Sequence, residues 1–505
     1  MFRRATEDAY GPCLFAGIFI AIGVGTFLNS TRPKAPKLNH IPTFGSPSVL
    51  LGSYWSAIKF SIDGFHVIQE GYRKHKTGVF KVATLTSWLV ILNRNHLEDI
   101  IKSSEDCLSF AEAAKDTEQT QYILGPEIEH NPYHITIIRS QLTRNLPRLY
   151  PALRDEMMMT FDEILDMKDD SWKCVPAFET MRKVICRSSH RAFVGLPLCR
   201  DPGWNDLNLG SAVDIFREIM LLRLIPRSLI PIIAKYVTNV SQRTAKAAKY
   251  IGPIVAERLS RTHENGEEWS DKPDDFLQWC LDEGTETSAS QLTQRILTLN
   301  MASIHTSTTI FVQALYQLAA NLNYVQPLRE EVEAIIDTDG WTKEAIMKMR
   351  CIDSFLKETQ RFEGVSAVLT TRKAVRDVTL SDGTLIPEGT HVSIPTYAIH
   401  HDHSIYEHPE TFDPFRYVHL QDKSGGGTRY QMVAVNPESL GFGLGKPACP
   451  GRFFAATLLK SMLAHVVVSY DVKLEQNASL PSSLRCGTTI LANPYANVMF
   501  RRRID

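Results

Sequence analysis

The longest regular pattern in this chain runs from about Ala289 to Ala320, where apolar residues recur every three or four positions. Neither glycine nor proline interrupts it, so the spacing predicts one continuous helix. At 1.5 Å per residue, roughly thirty residues make a helix about 45 Å long, which is enough to cross a whole domain.

The rest of the pattern predicts a mainly α fold with a minor β part. Helical periodicity also covers residues 146–165, 245–259 and 453–468. Short strand-like runs occur at residues 79–82, 88–92, 374–380 and 391–394. Because no long linker interrupts the chain after residue 45, we expect a single large domain at residues 46–505.

An uncharged apolar stretch at residues 11–28 precedes this domain. It just reaches the length that crosses a bilayer, and it predicts an N-terminal transmembrane helix within residues 1–30. A cleaved signal peptide is the alternative, but the apolar run is long for one, and no small-x-small cleavage site follows Leu28. Residues 31–45 contain three prolines and form a stiff hinge. The excess of basic residues after the span favours a cytosolic main domain.

Composition excludes several classes of partner and site. The chain has 55 Lys and Arg against 56 Asp and Glu, so no strong field attracts nucleic acid, and we expect no nucleic-acid partner. Its nine cysteines are scattered, with no C-x-x-C pair. An odd count in so large a chain is not a disulfide scaffold and suits a reducing compartment.

One cysteine stands in an unusual setting. Three glycines at Gly441, Gly443 and Gly445 lead into Cys449, and a helical pattern begins a few residues later. A glycine-rich loop lets the backbone approach a flat ligand closely. Backbone N–H groups and the start of the following helix would stabilise a thiolate at Cys449. A buried thiolate on iron donates electron density and favours O–O cleavage.

Phosphate, dinucleotide and zinc sites fit this loop less well. A phosphate-binding loop needs Ser or Thr after its lysine, but Pro447 follows Lys446. A dinucleotide fingerprint should follow a strand within a βαβ unit, which the pattern before Gly441 does not predict. A zinc site needs several clustered ligands, and Cys449 stands alone. A buried cysteine acting only as a small apolar residue is the remaining alternative.

The loop resembles the haem loop of the cytochrome P450 family, which reads F-x-x-G-x-x-x-C-x-G. Phe442, Gly445, Cys449 and Gly451 match its fixed positions. The resemblance implies the cytochrome P450 fold, with haem b (iron protoporphyrin IX) bound through an axial thiolate from Cys449. It also implies that Phe442, Gly445 and Gly451 contact or shape the cofactor site.

Two more motifs of that family occur in the same order and spacing. Glu358 and Arg361 match its E-x-x-R pair, and a helix beginning near Ile352 places them on one face. Residues 409–417 are similar to the P-E-x-F-x-P-x-R-F stretch, with Tyr417 in place of the last Phe. The resemblance implies that Arg416 joins Glu358 and Arg361 in a structural triad.

The long helix carries the family's oxygen-activating position. Thr306 matches the threonine whose hydroxyl guides protons during oxygen reduction, so the resemblance makes it a candidate catalytic residue. Ser303 replaces the usual glycine, and His305 replaces the usual acid. A histidine titrates near neutrality and is a candidate proton relay; a polar core residue bonded to a neighbouring turn is the alternative.

Haem propionates need cationic or hydrogen-bonding partners. The family usually has an arginine two residues before the ligand, where this chain has Pro447. By position in the family, His134 and Arg139 in the third helix and Arg372 after the E-x-x-R helix are the candidates. Each could equally be a surface cation.

The implied reaction is NADPH- and O₂-dependent oxidation of a lipophilic small molecule by an oxidoreductase. The resemblance implies NADPH-cytochrome P450 reductase as electron donor and single-pass anchoring in the endoplasmic reticulum membrane, with the catalytic domain facing the cytosol. The loop and the Ala302–Thr306 run are similar to fungal diterpene and terpenoid oxidases, which predicts specialised terpenoid biosynthesis. The alternatives are a reductase-independent isomerase or dehydratase, a steroid or fatty-acid hydroxylase, and a non-catalytic anchored helical protein.

Overall fold

The structure is a computed structural model that describes residues 38–45, 50–225, 229–266 and 269–503. The predicted anchor at residues 1–30 and the first part of the predicted hinge, residues 31–37, lie outside these ranges. Within them the chain is mainly helical, with short strands. The predicted mainly α fold with a minor β part is therefore confirmed.

The helices follow one another along the chain with few long connections. Their bounds are α1 Leu50–Lys74, α2 Leu97–Lys102, α3 Phe110–Glu118, α4 Thr120–Ile123, α5 Pro126–His130, α6 Tyr133–Ile137, α7 Thr143–Leu165, α8 Ala177–Phe193, α9 Pro202–Arg223, α10 Ile230–Val237, α11 Val240–Asn265, α12 Phe276–Asp282, α13 Ala289–Ala320, α14 Val325–Asp339, α15 Lys343–Lys348, α16 Arg350–Phe362, α17 Thr396–His400, α18 Arg416–Lys423 and α19 Arg452–Ser469. A π-helical turn, Ile138–Leu142, joins α6 to α7.

The strands form small sheets at the edge of the helical body. Their bounds are β1 Phe80–Ala83, β2 Trp88–Ile91, β3 Leu108–Ser109, β4 Lys173–Pro176, β5 Leu369–Ala374, β6 Val378–Thr379, β7 Leu385–Ile386, β8 His391–Ile394, β9 Tyr470–Lys473, β10 Leu484–Cys486, β11 Thr489–Leu491 and β12 Asn497–Arg502. The largest sheet has the order β1-β2-β8-β5-β3. Only its β2–β8 pair is parallel; its other pairs are antiparallel.

Helix α13 is the central element, as its sequence pattern predicts. It spans 32 residues, which corresponds to about 48 Å. Helices α8, α9 and α11 pack against it, and most of its second half is buried. The largest apolar core cluster joins α13 to α7, α8, α16 and α19. This packing holds α13 and the start of α19 in fixed positions.

The structure corrects one predicted strand. Residues 374–380 were expected to form a single strand, but β5 ends at Ala374 and a separate short strand begins at Val378. The Ala374 N–H donates to Thr390 O, whereas the next N–H, of Val375, donates to Cys107 O. The backbone therefore changes partners at the end of β5, before β6 begins. The predicted strand at residues 391–394 is β8, as expected.

Helix α19 is apolar enough to cross a membrane by length and composition. It is the single such helix among the described residues, and 72% of the helix is buried inside the protein. Its apolar surface is therefore used for core packing.

Candidate active site

A cavity of about 480 Å³ lies between α13, the loop before α19 and strand β5. This volume is within the range of ordinary ligand and cofactor sites. Its walls are mostly apolar, and among the lining residues are Ile135, Leu142, Leu299, Ala302, Val365 and Phe442. Cys449 lines one wall and Thr306 lines another. The structure thus brings the two principal predicted site residues to one space.

Cys449 lies just before the first residues of α19, at the helix N-terminus. Its backbone N–H donates to Phe442 O at 2.9 Å, which closes the loop on itself. Burial raises the pKa of the Cys449 thiol, while backbone N–H groups of Gly451 and Arg452 and the charge of Arg452 act in the opposite direction. The polar groups around the sulfur therefore favour the thiolate, and the apolar surroundings oppose it unless a cation binds there.

The loop before Cys449 depends on left-handed backbone at two glycines. Gly443 has φ +80° and Gly445 has φ +75°, which a side chain would strain. Gly443, Phe442 and Gly451 line the cavity. The carbonyl oxygen of Gly445 instead accepts a hydrogen bond from the Ala448 N–H, which closes a turn in the loop. Of the predicted loop residues, Phe442 and Gly451 therefore border the cavity directly, and Gly445 shapes the loop.

Thr306 reaches the cavity from α13. Its hydroxyl donates to Ala302 O at 2.9 Å, the bond that a helical threonine makes one turn back. Ser303 also lines the cavity, and its buried hydroxyl has no hydrogen-bond partner among the described residues. Ser307 lines the cavity as well, so α13 contributes three hydroxyl-bearing side chains to its wall.

His305 lies behind that face rather than on it. Its ring packs against Phe216 of α9, with ring centroids 5.8 Å apart, and its Nδ1 has no partner in the described part of the chain. Burial lowers the pKa of His305, and the charge of Arg182 lowers it further. The imidazole is therefore neutral at neutral pH.

Two of the three predicted propionate partners lie at the cavity. Arg372, on β5, is buried and donates to Leu444 O at 3.0 Å; burial lowers its pKa to about 10. Arg139 lines the same cavity and its Nη2 reaches Lys446 O at 3.4 Å. Both guanidinium groups thus lie beside the cysteine loop.

His134 occupies a different environment. It does not line this cavity, and its Nδ1 accepts from the buried Arg295 at 3.1 Å. Burial, followed by the charge of Arg295, lowers the pKa of His134 to about 4. A neutral ring already bonded to an arginine is poorly suited to hold an anionic group.

The predicted triad residues contact one another. Arg361 binds both carboxylate oxygens of Glu358, at 2.7 and 2.8 Å. The Nε of Arg416 donates to the same two oxygens, at 3.1 Å each. Arg361 also donates to His400 O and Pro409 O, so the cluster ties α16 to the segment before α18.

Thr370 is among the cavity residues that were not identified from the sequence. Thr370 lines the cavity with a buried hydroxyl that has no partner among the described residues. It has φ +61°, unusual for a threonine, at the irregular register between β5 and β8. Two threonines in a strand are an ordinary pattern, so the sequence carries no signal for this placement.

Comparison with known proteins identifies the family. The family model described as cytochrome P450 matches residues 88–498. Cytochrome P450 monooxygenase 151 of Postia placenta is 40% identical over 486 residues, covering 95% of this chain and 97% of that protein. Cytochrome P450 monooxygenase CYP512U6 of Ganoderma lucidum is 33% identical over 491 residues, covering 97% and 96%. Ent-kaurene oxidase of Gibberella intermedia is 30% identical over 472 residues, covering 92% and 88%.

The chain therefore belongs to the cytochrome P450 family and is similar to monooxygenases from fungi. Membership implies haem with an axial cysteine thiolate. The residues present fit that group: the thiol of Cys449 at a helix N-terminus, and two arginines and the Thr370 hydroxyl at the wall, which have no carboxylate or hydrogen-bond partner, respectively, in the described part of the chain. Monooxygenases are oxidoreductases, and haem supplies the capacity to activate dioxygen when it is bound.

Replacing Thr306 with alanine is expected to leave haem content unchanged but to reduce product formed per NADPH by at least about tenfold, with hydrogen peroxide rising in its place. The reason is that a positioned proton donor contributes on the order of 10²-fold or more to such a step. Product, NADPH and peroxide measured together give the coupling. Thr298→Ala is the matched control, since Thr298 makes the same backbone bond on α13, to Gln294 O. Unchanged coupling in Thr306→Ala would remove Thr306 from the mechanism.

Proposed function

We propose that this chain is a monooxygenase that uses O₂ and NADPH to hydroxylate or otherwise oxidise a lipophilic terpenoid, a diterpene or a related compound. One oxygen atom enters a C–H bond of the substrate, the other leaves as water, and NADPH supplies two electrons through a separate reductase. The observation that supports this proposal best is the position of the Thr306 hydroxyl in the same mostly apolar cavity as Cys449. The Thr306 hydroxyl is the proposed proton donor beside the substrate in that cavity.

Each polar residue of the site has a distinct proposed role. Cys449 is the axial ligand, and Arg139 and Arg372 bind the haem carboxylates in place of the arginine missing at Pro447. Thr306 positions protons. His305 is proposed to pass protons to Thr306 from the α8 and α9 side of α13, where burial, followed by the charge of Arg182, lowers its pKa.

The substrate class rests on two considerations. The cavity is lined by aliphatic side chains such as those of Leu299, Val365 and Leu369, which suit a hydrocarbon skeleton. Among the relatives, the protein named ent-kaurene oxidase is aligned over 92% of this chain. A steroid or fatty-acid hydroxylase would also have apolar walls, and comparison of oxidation rates on the three substrate classes separates these alternatives.

The second candidate is a reductase-independent isomerase or dehydratase with the same cofactor. Thr306 argues against it, because a rearrangement that reduces no oxygen needs no proton donor at that position. Substrate turnover measured with and without NADPH distinguishes the two. Turnover of an oxygenated substrate that is independent of NADPH would contradict the monooxygenase proposal.

The function is tested most directly by incubating the full chain with a reductase, NADPH and candidate diterpenes, followed by mass spectrometry. We expect products heavier than the substrate by one oxygen atom, and expect that atom to carry the label when ¹⁸O₂ is used. Label from water instead of dioxygen would contradict the proposal.

The proposed location is the endoplasmic reticulum membrane, with a single N-terminal span and the catalytic domain in the cytosol. Deleting residues 1–30 is expected to move the protein from the membrane pellet to the supernatant while its haem spectrum is retained. Sedimentation and an absorption spectrum of each fraction give the result. A truncated protein that still sediments with membranes would contradict the single-anchor arrangement.

A further inference from the structure

Strand β5 contains one extra residue where it borders the cavity. Its pairing with β8 advances by three residues along β5, from Leu369 to Arg372, but by only two residues along β8. Thr370 and Thr371 therefore share the place opposite Ser393, which is the arrangement of a β-bulge. Bulges re-aim side chains and are frequent next to active sites, so the two threonines must be considered separately.

The two threonines of the bulge lie in different environments. Thr371 Oγ1 lies 3.0 Å from Ser393 Oγ, so its hydroxyl bonds within the sheet. Thr370 is buried and lines the cavity, and so does Arg372 two residues later. The bulge thus gives Thr370 and Arg372 the same cavity wall, while Thr371 faces the neighbouring strand.

Thr370 combines two unfavourable features in one residue. Its φ of +61° lies in the left-handed region, which a β-branched side chain rarely adopts. Its hydroxyl has no hydrogen-bond partner in the described part of the chain, although only 8% of the residue is exposed. Backbone strain and a buried polar group without a partner both cost free energy, and such features cluster where a ligand is held. An acceptor atom on a bound molecule would offset the cost of the hydroxyl.

The groups around this hydroxyl favour an anionic acceptor. Arg372, which is 3% exposed, forms no ion pair with a described carboxylate, and its Nη2 donates to Leu444 O in the cysteine loop. A Cβ placed on Gly443 would lie 3.7 Å from Thr370 Oγ1, so the hydroxyl lies beside the same loop. A carboxylate at this wall would accept charge-assisted hydrogen bonds from both the guanidinium and the hydroxyl.

We propose that the Thr370 hydroxyl donates a hydrogen bond to the haem carboxylate that Arg372 binds. Strand β5 then supplies a donor on the side where the cysteine loop has Pro447, whose side chain cannot donate. The inference rests on the proposed function, in which Arg139 and Arg372 bind the two haem carboxylates, and adds a residue that holds the cofactor in place.

A neutral donor suits this position better than a further cation. Two guanidinium groups already balance the two carboxylates of haem b. Another positive charge in these mostly apolar surroundings would be left without a partner, which is costly. The hydroxyl adds a hydrogen bond and leaves the charge balance unchanged, because it can donate without being ionised.

The test compares Thr370→Ala with Thr370→Ser in the full-length holoenzyme. Both variants lose the same methyl group, and they differ only in the hydroxyl. The rate of haem transfer to excess apomyoglobin measures retention of the cofactor, and the propionate bending band in the resonance Raman spectrum reports hydrogen bonds to its carboxylates. We expect Thr370→Ala to release haem roughly 10- to 100-fold faster than the wild type, the range for a hydrogen bond to a charged group, and to shift the band. Thr370→Ser should resemble the wild type in both measurements.

Two further variants separate the hydroxyl from the backbone. Thr370→Gly relieves the left-handed strain and also lacks the hydroxyl, so it should fold readily yet release haem as fast as Thr370→Ala. Thr371→Ala is the matched control, since it removes the neighbouring hydroxyl that bonds within the sheet. It should change neither the release rate nor the Raman band.

Three outcomes would overturn the inference. They are a Thr370→Gly or Thr370→Ala holoenzyme with the wild-type band, a Thr370→Ser holoenzyme as altered as Thr370→Ala, and faster haem release without any shift of the band. Each leaves the wild type with its thiolate-bound haem and its NADPH-dependent oxidation. Failure of the proposed function is distinct, because the wild type itself would then carry no such haem or oxidise no substrate.

Discussion

Replacing Cys449 with serine or alanine is expected to abolish measurable oxidation of the native substrate. Partners that only support a metal ligand already cost about 10- to 100-fold when they are removed, so loss of the ligand itself should exceed about 100-fold. The effect is severe because no second thiol among the described residues lines this cavity and could take the place of Cys449. Turnover per haem is the measurement, together with the absorption spectrum of the reduced protein.

The control for this substitution is Cys174→Ser, at an exposed cysteine whose thiol contacts Glu475 far from the cavity. It should retain both turnover and spectrum. Full-rate oxidation by Cys449→Ser would mean that another residue binds the iron. In that case the site described between α13 and α19 would not be the catalytic one.

Replacing Glu358 with alanine should have the largest effect on stability. Its carboxylate is fully buried and receives hydrogen bonds from two arginines and from the Asp413 N–H. Removing it leaves two positive charges in the interior without a counter-charge, which typically costs about 3–5 kcal/mol. We expect a markedly lower unfolding temperature and loss of haem, since α16 and the segment before α18 support the loop that carries Cys449.

Thermal unfolding followed by circular dichroism, with haem retention measured in parallel, gives the result. Glu410→Ala is the control, since Glu410 lies in the same segment but is exposed and faces only surface histidines. It should not change either quantity. A Glu358→Ala protein as stable as the wild type would show that the buried carboxylate does not hold this part of the fold together.

The sequence predicted the elements that depend on local patterns. Helix α13 follows from an uninterrupted apolar periodicity over 32 residues, and its observed bounds match the predicted ones. The loop before α19 follows from glycines at positions that adopt positive φ. Glu358 and Arg361 were predicted to share a helix face, and their side chains pair as i and i+3 residues do.

Features that depend on tertiary packing could not be predicted in this way. The left-handed backbone conformation of Thr370 lies at a shift in register between β5 and β8, which no local pattern indicates. His134 was a candidate because its segment resembles the family's third helix, but its ring bonds to Arg295 instead.

The central claim is that Cys449 binds haem as a thiolate, and the carbon-monoxide difference spectrum of the reduced full-length protein tests it most directly. The claim predicts the strongly red-shifted Soret band that is expected of a thiolate-ligated haem in this family. A Soret band without that shift, or a protein that carries no haem, would contradict it.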